Sequence, residues 1–534
     1  MYALGLEFST QSAKSLVLDI ESGSVEHLGS HEYDSCFPEY ETRGGVLPSA
    51  DEGVRHTSPL LLLRALDLVF DQLVRDRVDL AQVRAIKVDG MQHCTVHVND
   101  LFAEALGKLD PSQGLLPQLR QTLSRRTSPI WEDRSPTDEA AYLTESLRDQ
   151  GGIENLTGNR AELRFPAAQI LKWGREHPEE LETTAHLFLL SAFLTSVLSG
   201  KITAVDTGDG WGTNLNHTDI RNPGWSGPVL AAMNRYFLDR GIRADLSAKI
   251  GFMDHYDAPA GRIHPYFSGR YGVHPEAIIL AGTGDNPATL LGCGSETVIS
   301  LGSSYTVNGL SKTITPSPGG EYNLFGYIPG RAMALAVFTN GSKVHDRFLR
   351  RYLLQGKTRE IAAGDWDAYV RAAGPFRLAE DEPLMLPYEH AESVPLRPRG
   401  IVRQGFDEGD AGANIRALCI SQILSLRLHS SHLSDARSIC VVGGGAKNPF
   451  LVQLIADLFQ ARAYSIRHAD FAAPLGCAVS GARKVLNIPY PDAAGKYVQR
   501  DEKSVRFPDT DAPARVRRLL EGYLQLENQG RAFT

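Results

Sequence analysis

The segment from Glu276 to Asn308, EAIILAGTGDNPATLLGCGSETVISLGSSYTVN, constrains the fold more than any other stretch of the chain. Ile278, Ile279 and Leu280 make an apolar run of strand length. Gly282, Thr283 and Gly284 interrupt it, and Asp285 and Asn286 precede Pro287 and an apolar-periodic stretch. Capping residues followed by a first-turn proline predict a strand that enters a helix. The acid then sits at the carboxyl end of a strand, where open α/β sheets bind their ligands. Thr297–Leu301 predicts a second strand, Gly302, Ser303 and Ser304 a tight turn, and Tyr305–Asn308 a third strand. Such a turn aims backbone N–H groups and hydroxyls at one point, as a phosphate requires. A carboxylate beside a phosphate-holding turn points to phosphoryl transfer onto a hydroxyl.

Each feature alone also fits a plain helix cap or a plain hairpin. The order strand, Ser/Thr turn, strand recurs, however, at Leu4–Phe8, Ser9-Thr10-Gln11-Ser12 and Ala13–Asp19. Two copies more than half the chain apart predict a duplicated fold, each half opening on a hairpin. The 534 residues exceed what one core usually serves, so two large domains are expected. Pro259–Pro275, rich in Gly, Pro, His and Tyr, reads as the crossover, which divides the chain into 1–268 and 269–534.

Composition narrows the partners. With 42% apolar and 22% charged residues the chain is an ordinary globular one. A net charge of −8 without a long basic run argues against nucleic acid. The six cysteines lack metal or redox spacing, so reduced thiols in a cytoplasmic protein are expected. Leu187–Leu198 is too short and too polar to span a bilayer and predicts a buried helix, so no membrane association is expected. The first residues lead directly into the hairpin, without the pattern of a signal peptide. A homodimer stays open.

Between these landmarks, Asp51–Asp76 predicts a helix and Arg84–Asp89 a buried strand ending in Gly90-Met91-Gln92-His93-Cys94. A histidine in a polar loop after a strand is as much a ligand candidate as a structural residue. Ser128–Arg134 and Leu156–Phe165 place Trp131, Asp133 and Arg164 among polar groups, a mixture suited to a polyhydroxylated ligand. Lys201–Asn216 reads as an irregular Gly/Asp loop, and residues 356–412 carry few regular signals apart from Trp366. Ser438–Val442 predicts a strand, followed by Gly443-Gly444-Gly445 and a helix from Pro449, an arrangement that lets a nucleotide approach backbone closely. Ala472–Ala478 opens a small-residue helix expected to pack beneath that turn.

Taken in order, these segments resemble the FGGY carbohydrate kinases, and within them the xylulose kinase branch. Gly5–Gln11 resembles the family's first phosphate loop, Gly90–His93 its sugar loop and Trp131-x-Asp133 its Trp-x-Asp signature. Thr283–Ala288 resembles the segment of the catalytic aspartate, Ser300–Ser304 the second phosphate loop and Gly443–Asn448 the adenosine loop. The resemblance implies the actin-like ATPase fold, two ribonuclease-H-like α/β domains around an interdomain cleft. It implies ATP and Mg²⁺ as cofactors and a small sugar as substrate. By the same likeness Asp285 is catalytic, and His93, Arg164, Asp285 and Asn286 hold the ketose, with Gln92 and Asp133 as further candidates. Ser9, Thr10, Gly302, Ser303, Trp366, Gly444, Gly445 and Asn448 would meet the nucleotide, and Glu7 the metal. Glu7 stands where the family usually has Asp, and Cys94 where it commonly has Gly.

The expected reaction is ATP-dependent phosphorylation of D-xylulose, with Asp285 taking the hydroxyl proton and domain closure excluding water. The alternatives are a kinase for ribulose, glycerol or gluconate, and a non-enzymatic ATP-binding sugar sensor on the same core.

Overall fold

The computed structural model describes residues 1–529. The chain forms two compact units that interlace in sequence. Unit 1 comprises Met1–Gly292, Ile314–Met333 and Phe471–Val498; unit 2 comprises Cys293–Thr313, Ala334–Asp470 and, among the described residues, 499–529.

Unit 1 is built on β1 (Tyr2–Phe8), β2 (Ser12–Asp19), β3 (Val25–Glu32), β4 (Val83–Gly90), β5 (Pro259–Arg262), β6 (Ile278–Leu280) and β7 (Thr283–Gly284). The spatial order is β5-β6-β4-β1-β2-β3, with β7 also on β4. β3, β2 and β1 are antiparallel neighbours, β1, β4 and β6 run parallel, and β5 is antiparallel to β6. Every residue of β4 except Arg84 is buried, as expected of a central strand covered on both faces. Helices α1 (Pro59–Arg75), α2 (Leu190–Ser199) and α3 (Asp285–Gly292) also belong to unit 1. Ser58 caps α1 by accepting from the Leu61 amide, Pro59 starts it, and its Leu/Val/Phe face joins the core.

Unit 2 holds β8 (Thr297–Leu301), β9 (Tyr305–Leu310), most of β10 (Ala332–Phe338), β11 (Ser438–Val442), β12 (Arg462–Ile466) and β13 (Arg500–Arg506). Their order is β10-β9-β8-β11-β12-β13. β9–β8 is antiparallel, β8–β11 and β11–β12 are parallel, and β12–β13 is antiparallel. From β9 to β13 the order and pairing directions match those of β2-β1-β4-β6-β5 in unit 1, so the duplication expected from the two hairpins is a duplication of topology. Each unit has the ribonuclease-H-like α/β arrangement of the actin-like ATPase fold. Helices α4 (Ala363–Ala372) and α5 (Pro449–Phe459) lie in unit 2, whereas α6 (Ala472–Leu486) returns the chain to unit 1.

Several expectations change. The division at 268/269 falls inside unit 1, whose main segment continues to Gly292. The reason is pairing: Ile278 and Ile279 lie parallel to Ala85 and Ile86, so β6 completes the first sheet and Asp285 belongs with it. Pro259–Pro275 is no linker, since it contributes β5 and the helix Pro265–Tyr271. Leu187–Leu189 ends a strand before α2 begins. Lys201–Asn216 contains a short helix, Thr207–Gly210, capped by Asp206. Residues 356–412 supply α4 and the paired strands Leu384–Tyr388 and Gly400–Gln404.

The small-residue helix α6 packs on α3 and β1 within unit 1. Its fit is backbone to backbone: a Cβ on Gly476 would lie 2.0 Å from the Ala288 carbonyl oxygen. One on Gly292 would lie 1.8 Å from that of Ala472.

Candidate active site

Neighbouring strands of unit 1 end in acids. In the parallel register Glu7 of β1 faces Asp89 of β4, and Asp89 faces Thr283 of β7, after which the chain turns into α3 at Asp285. Three carboxylates therefore share one sheet edge, at the carboxyl ends of parallel strands. Asp89 is fully buried and Glu7 nearly so, while Asp285 keeps an edge toward solvent.

Their charges oppose one another. Burial, reinforced by Glu7, pushes the Asp285 carboxyl up to about 7, against the pull of the backbone amides of Asn286 and Gln92. Burial, then Glu7 and Asp285, raise Asp89 well above the carboxylate range. Glu7 is also raised by burial, and Lys14 opposes that rise through a contact of 3.1 Å to its Oε2. Lys14 stands directly across β2 from Glu7. A carboxylate poised near neutrality at a strand end has the character of a general base.

Residues of the Gly90–Cys94 loop and of α3 assemble around it. Asn286 Nδ2 donates to Gln92 Oε1 at 2.7 Å and to Asp285 Oδ1 at 2.9 Å, and Gln92 Nε2 donates to the Gly208 carbonyl at 3.2 Å. A side chain at Gly208 would strike Thr283 Oγ1, and one at Gly284 would strike Gln92. Glycine is thus required where these loops meet. His93 adopts φ 70°, a strained value for a non-glycine residue that its surroundings enforce. Its Nδ1–H donates to the Gly212 carbonyl at 2.7 Å, and its ring stacks on Phe165 at 4.5 Å. Burial, with Arg164 adding to it, lowers its pKa to about 3. The ring is neutral at pH 7, and its Nε2 carries a lone pair for a hydroxyl. Arg164 donates to Asn323 Oδ1 at 2.6 Å and lies 3.6 Å from Glu162, which fixes its guanidinium beside Phe165.

Other candidates have structural partners. Asp133 is fully buried and accepts from Arg55 N, Ser135 and Gln169, so it fixes its own loop. Trp131 remains 47% exposed and donates Nε1–H to Thr10 Oγ1 at 3.1 Å, tying that loop to the first hairpin turn. Ser9 Oγ closes the turn on the Ser12 carbonyl at 2.9 Å. Cys94 is buried, with its thiol pushed up to about 12 by burial, and is inert as a nucleophile.

In unit 2 the second hairpin turn and the triple-glycine turn meet. A Cβ on Gly445 would lie 2.7 Å from that of Leu301, and Gly443 takes φ 84° against Leu301 and Gly302. Gly444 faces open space and Ser303 is exposed, so both leave room for a ligand. Asn448 Oδ1 caps α5 by accepting from Phe450 N at 3.0 Å. Trp366 lies on α4, edge-on to Tyr369 at 5.6 Å.

Asp89 is the residue the sequence reading passed over, together with Lys87 on the same strand. Lys87 is fully buried and donates to the Tyr256 and Ala281 carbonyls at 2.6 Å each, with Asp206 at 3.6 Å. Two charges inside an otherwise apolar strand, RAIKVD, were the available signal. No group of three His, Cys, Asp or Glu residues with metal-ligand spacing occurs among the described residues. Glu7 and Asp89 nonetheless offer hard oxygens side by side, and Asp89 Oδ1 is buried without a hydrogen-bond partner. Mg²⁺ commonly takes one or two carboxylates together with waters and phosphate oxygens, so these residues fit it. No helix among the described residues is long and apolar enough to cross a membrane.

Known proteins are similar to this chain in sequence and in fold. The sequence model of the FGGY family of carbohydrate kinases, C-terminal domain, matches residues 297–485. Xylulose kinase 2 of Arabidopsis thaliana is 30% identical over 503 residues, spanning 90% of this chain and 86% of that protein. The xylulose kinase of Schizosaccharomyces pombe is 30% identical over 516 residues, spanning 90% and 88%. In three dimensions the xylulose kinase structure from Rhodospirillum rubrum superposes with a TM-score of 0.79 at 16% identity, over 100% of this chain and 99% of that one. That likeness concerns the fold, whereas the full-length sequence relationship carries descent: the chain belongs to the FGGY family of carbohydrate kinases.

Proposed function

We propose that this carbohydrate kinase transfers the γ-phosphoryl group of ATP to the terminal hydroxyl of D-xylulose, forming D-xylulose 5-phosphate. The observation that carries the reading is Asp285, a carboxylate held near pKa 7 at a strand end and hydrogen-bonded through Asn286 to the sugar loop. The names of the relatives similar over nine-tenths of the chain support xylulose as substrate.

In this reading His93 Nε2 accepts from one sugar hydroxyl and Arg164 donates to another. Asn286 and Gln92 keep Asp285 Oδ1 oriented, and the carboxylate takes the proton of the attacking hydroxyl as the oxygen–phosphorus bond forms. The turns at Ser9–Ser12 and Gly302–Ser304 hold phosphate oxygens through backbone N–H groups and hydroxyls, with Thr10 steadied by Trp131. Gly444 and Gly445 admit the nucleoside, with Asn448 and Trp366 as further contacts. Glu7 and Asp89 would hold Mg²⁺, which supplies charge neutralisation for the transferring phosphoryl group. A coupled ADP-release assay over D-xylulose, ribulose, glycerol and gluconate tests the assignment. The expected result is the highest kcat/KM for D-xylulose; a higher value for any other member of the panel overturns the choice of sugar.

A further inference from the structure

A polar cavity lies in unit 1, and none of Glu7, Asp89 and Asp285 lines it. It encloses about 210 Å³ and is lined by Arg125, Arg126, Lys172, Trp173 and His56, with Glu176 and Glu180 also on its wall. Its most buried cation is Arg125, only 5% exposed. The guanidinium lies 5.3 Å over the Trp173 ring, and its one hydrogen-bond contact among the described residues is Nη2 to His56 Nε2 at 3.4 Å. Nε and Nη1 are buried with no acceptor among the described residues. Unpaired donors on a buried guanidinium are costly, and the planar fork matches a phosphoryl or carboxylate group. Glu176 and Glu180 are exposed, and Glu176 is engaged by Arg175 at 3.3 Å and Lys172 at 4.0 Å. Solvent screens these acids at the mouth, and the buried Asp133 carboxylate, in contact with His56, offsets part of the Arg125 charge while leaving its Nε and Nη1 donors unused.

We propose that this cavity is a binding site for a small phosphoryl dianion, taken by Arg125 on its floor and by Lys172 and Arg126 nearer the mouth. The volume admits a phosphate group with a few attached carbons and excludes a nucleotide. Burial lowers the Arg125 pKa to about 10, so the guanidinium stays charged at neutral pH. The site adjoins the Trp131–Asp133 loop, because His56 lies 3.4 Å from Asp133 as well as from Arg125.

Calorimetric titration of the full chain with phosphoglycolate and, separately, inorganic phosphate tests the site and separates a phosphate monoester from free phosphate. Saturable binding is expected, weakened about tenfold or more in Arg125→Met, which keeps the aliphatic packing on Trp173. Lys172→Glu, at a partly exposed position, is expected to weaken it similarly and decides the matter if Arg125→Met does not fold. No saturable binding of either probe to wild type overturns the proposal. So does binding that Arg125→Met, or Lys172→Glu in its place, leaves unchanged.

Discussion

Replacing Asp285 by Asn separates chemistry from architecture. Asn keeps the Oδ1 that accepts from Asn286 Nδ2 at 2.9 Å, so the hydrogen-bond chain to Gln92 survives. The amide cannot take a proton, and turnover is expected to fall roughly 10²–10⁴-fold. The pH profile gives an independent magnitude. With the wild-type carboxyl at about 7, the ionised fraction drops to about one-tenth at pH 6 and one-hundredth at pH 5. The kcat/KM of the wild type should decline by those factors, since this parameter reports the free enzyme. Stability has the opposite sign. The folded pKa lies above the ordinary 3.8, so the associated stability is complete below 3.8 and is lost as pH rises through about 7. Asn never ionises and escapes that loss, so the variant should melt at or above the wild-type temperature at pH 8. Steady-state kinetics from pH 5 to 8 with thermal melts of both proteins provide the test. A flat wild-type profile, or an Asn variant with wild-type turnover, would refute the assignment of the base.

Glu7→Gln removes one of the paired carboxylates, and turnover is expected to fall about 10–100-fold with a raised Mg²⁺ requirement; Glu7 also raises Asp285, so the acid limb of kcat/KM should move to lower pH. Activity unchanged across a Mg²⁺ titration would count against Glu7. His93→Ala should raise the KM for the sugar about tenfold, the scale of a lost hydrogen bond, and leave ATP affinity alone; equal losses for both ligands by calorimetry would mark a structural histidine. Gly476→Ala gains up to about 1 kcal/mol of helix propensity, yet its Cβ would lie 2.0 Å from the Ala288 carbonyl oxygen. The clash should win, with a net loss of about 1–3 kcal/mol in denaturant unfolding; a stabilised variant would show that α3 and α6 are not held at backbone distance.

Local pattern made much of this protein legible. Apolar runs flanked by Gly, Ser, Thr and Asp located both hairpins, and their recurrence announced the repeated topology, because strand period and turn chemistry are properties of short segments. The same locality placed Asp285 at a strand-to-helix junction and a glycine turn before α5. Resemblance supplied roles that residue pattern alone left open, such as that of Arg164. What the sequence by itself could not determine is pairing between distant segments. That Asp89 lies beside Glu7 follows from a parallel register across some eighty residues, and no local pattern encodes register between strands so far apart. The interlacing of the units has the same origin, since β6 completes the first sheet and α6 returns to pack on α3 through Gly292 and Gly476. The pKa of Asp285 is decided there as well. An aspartate is acidic in any sequence, and only burial beside Glu7 makes this one a base near neutrality.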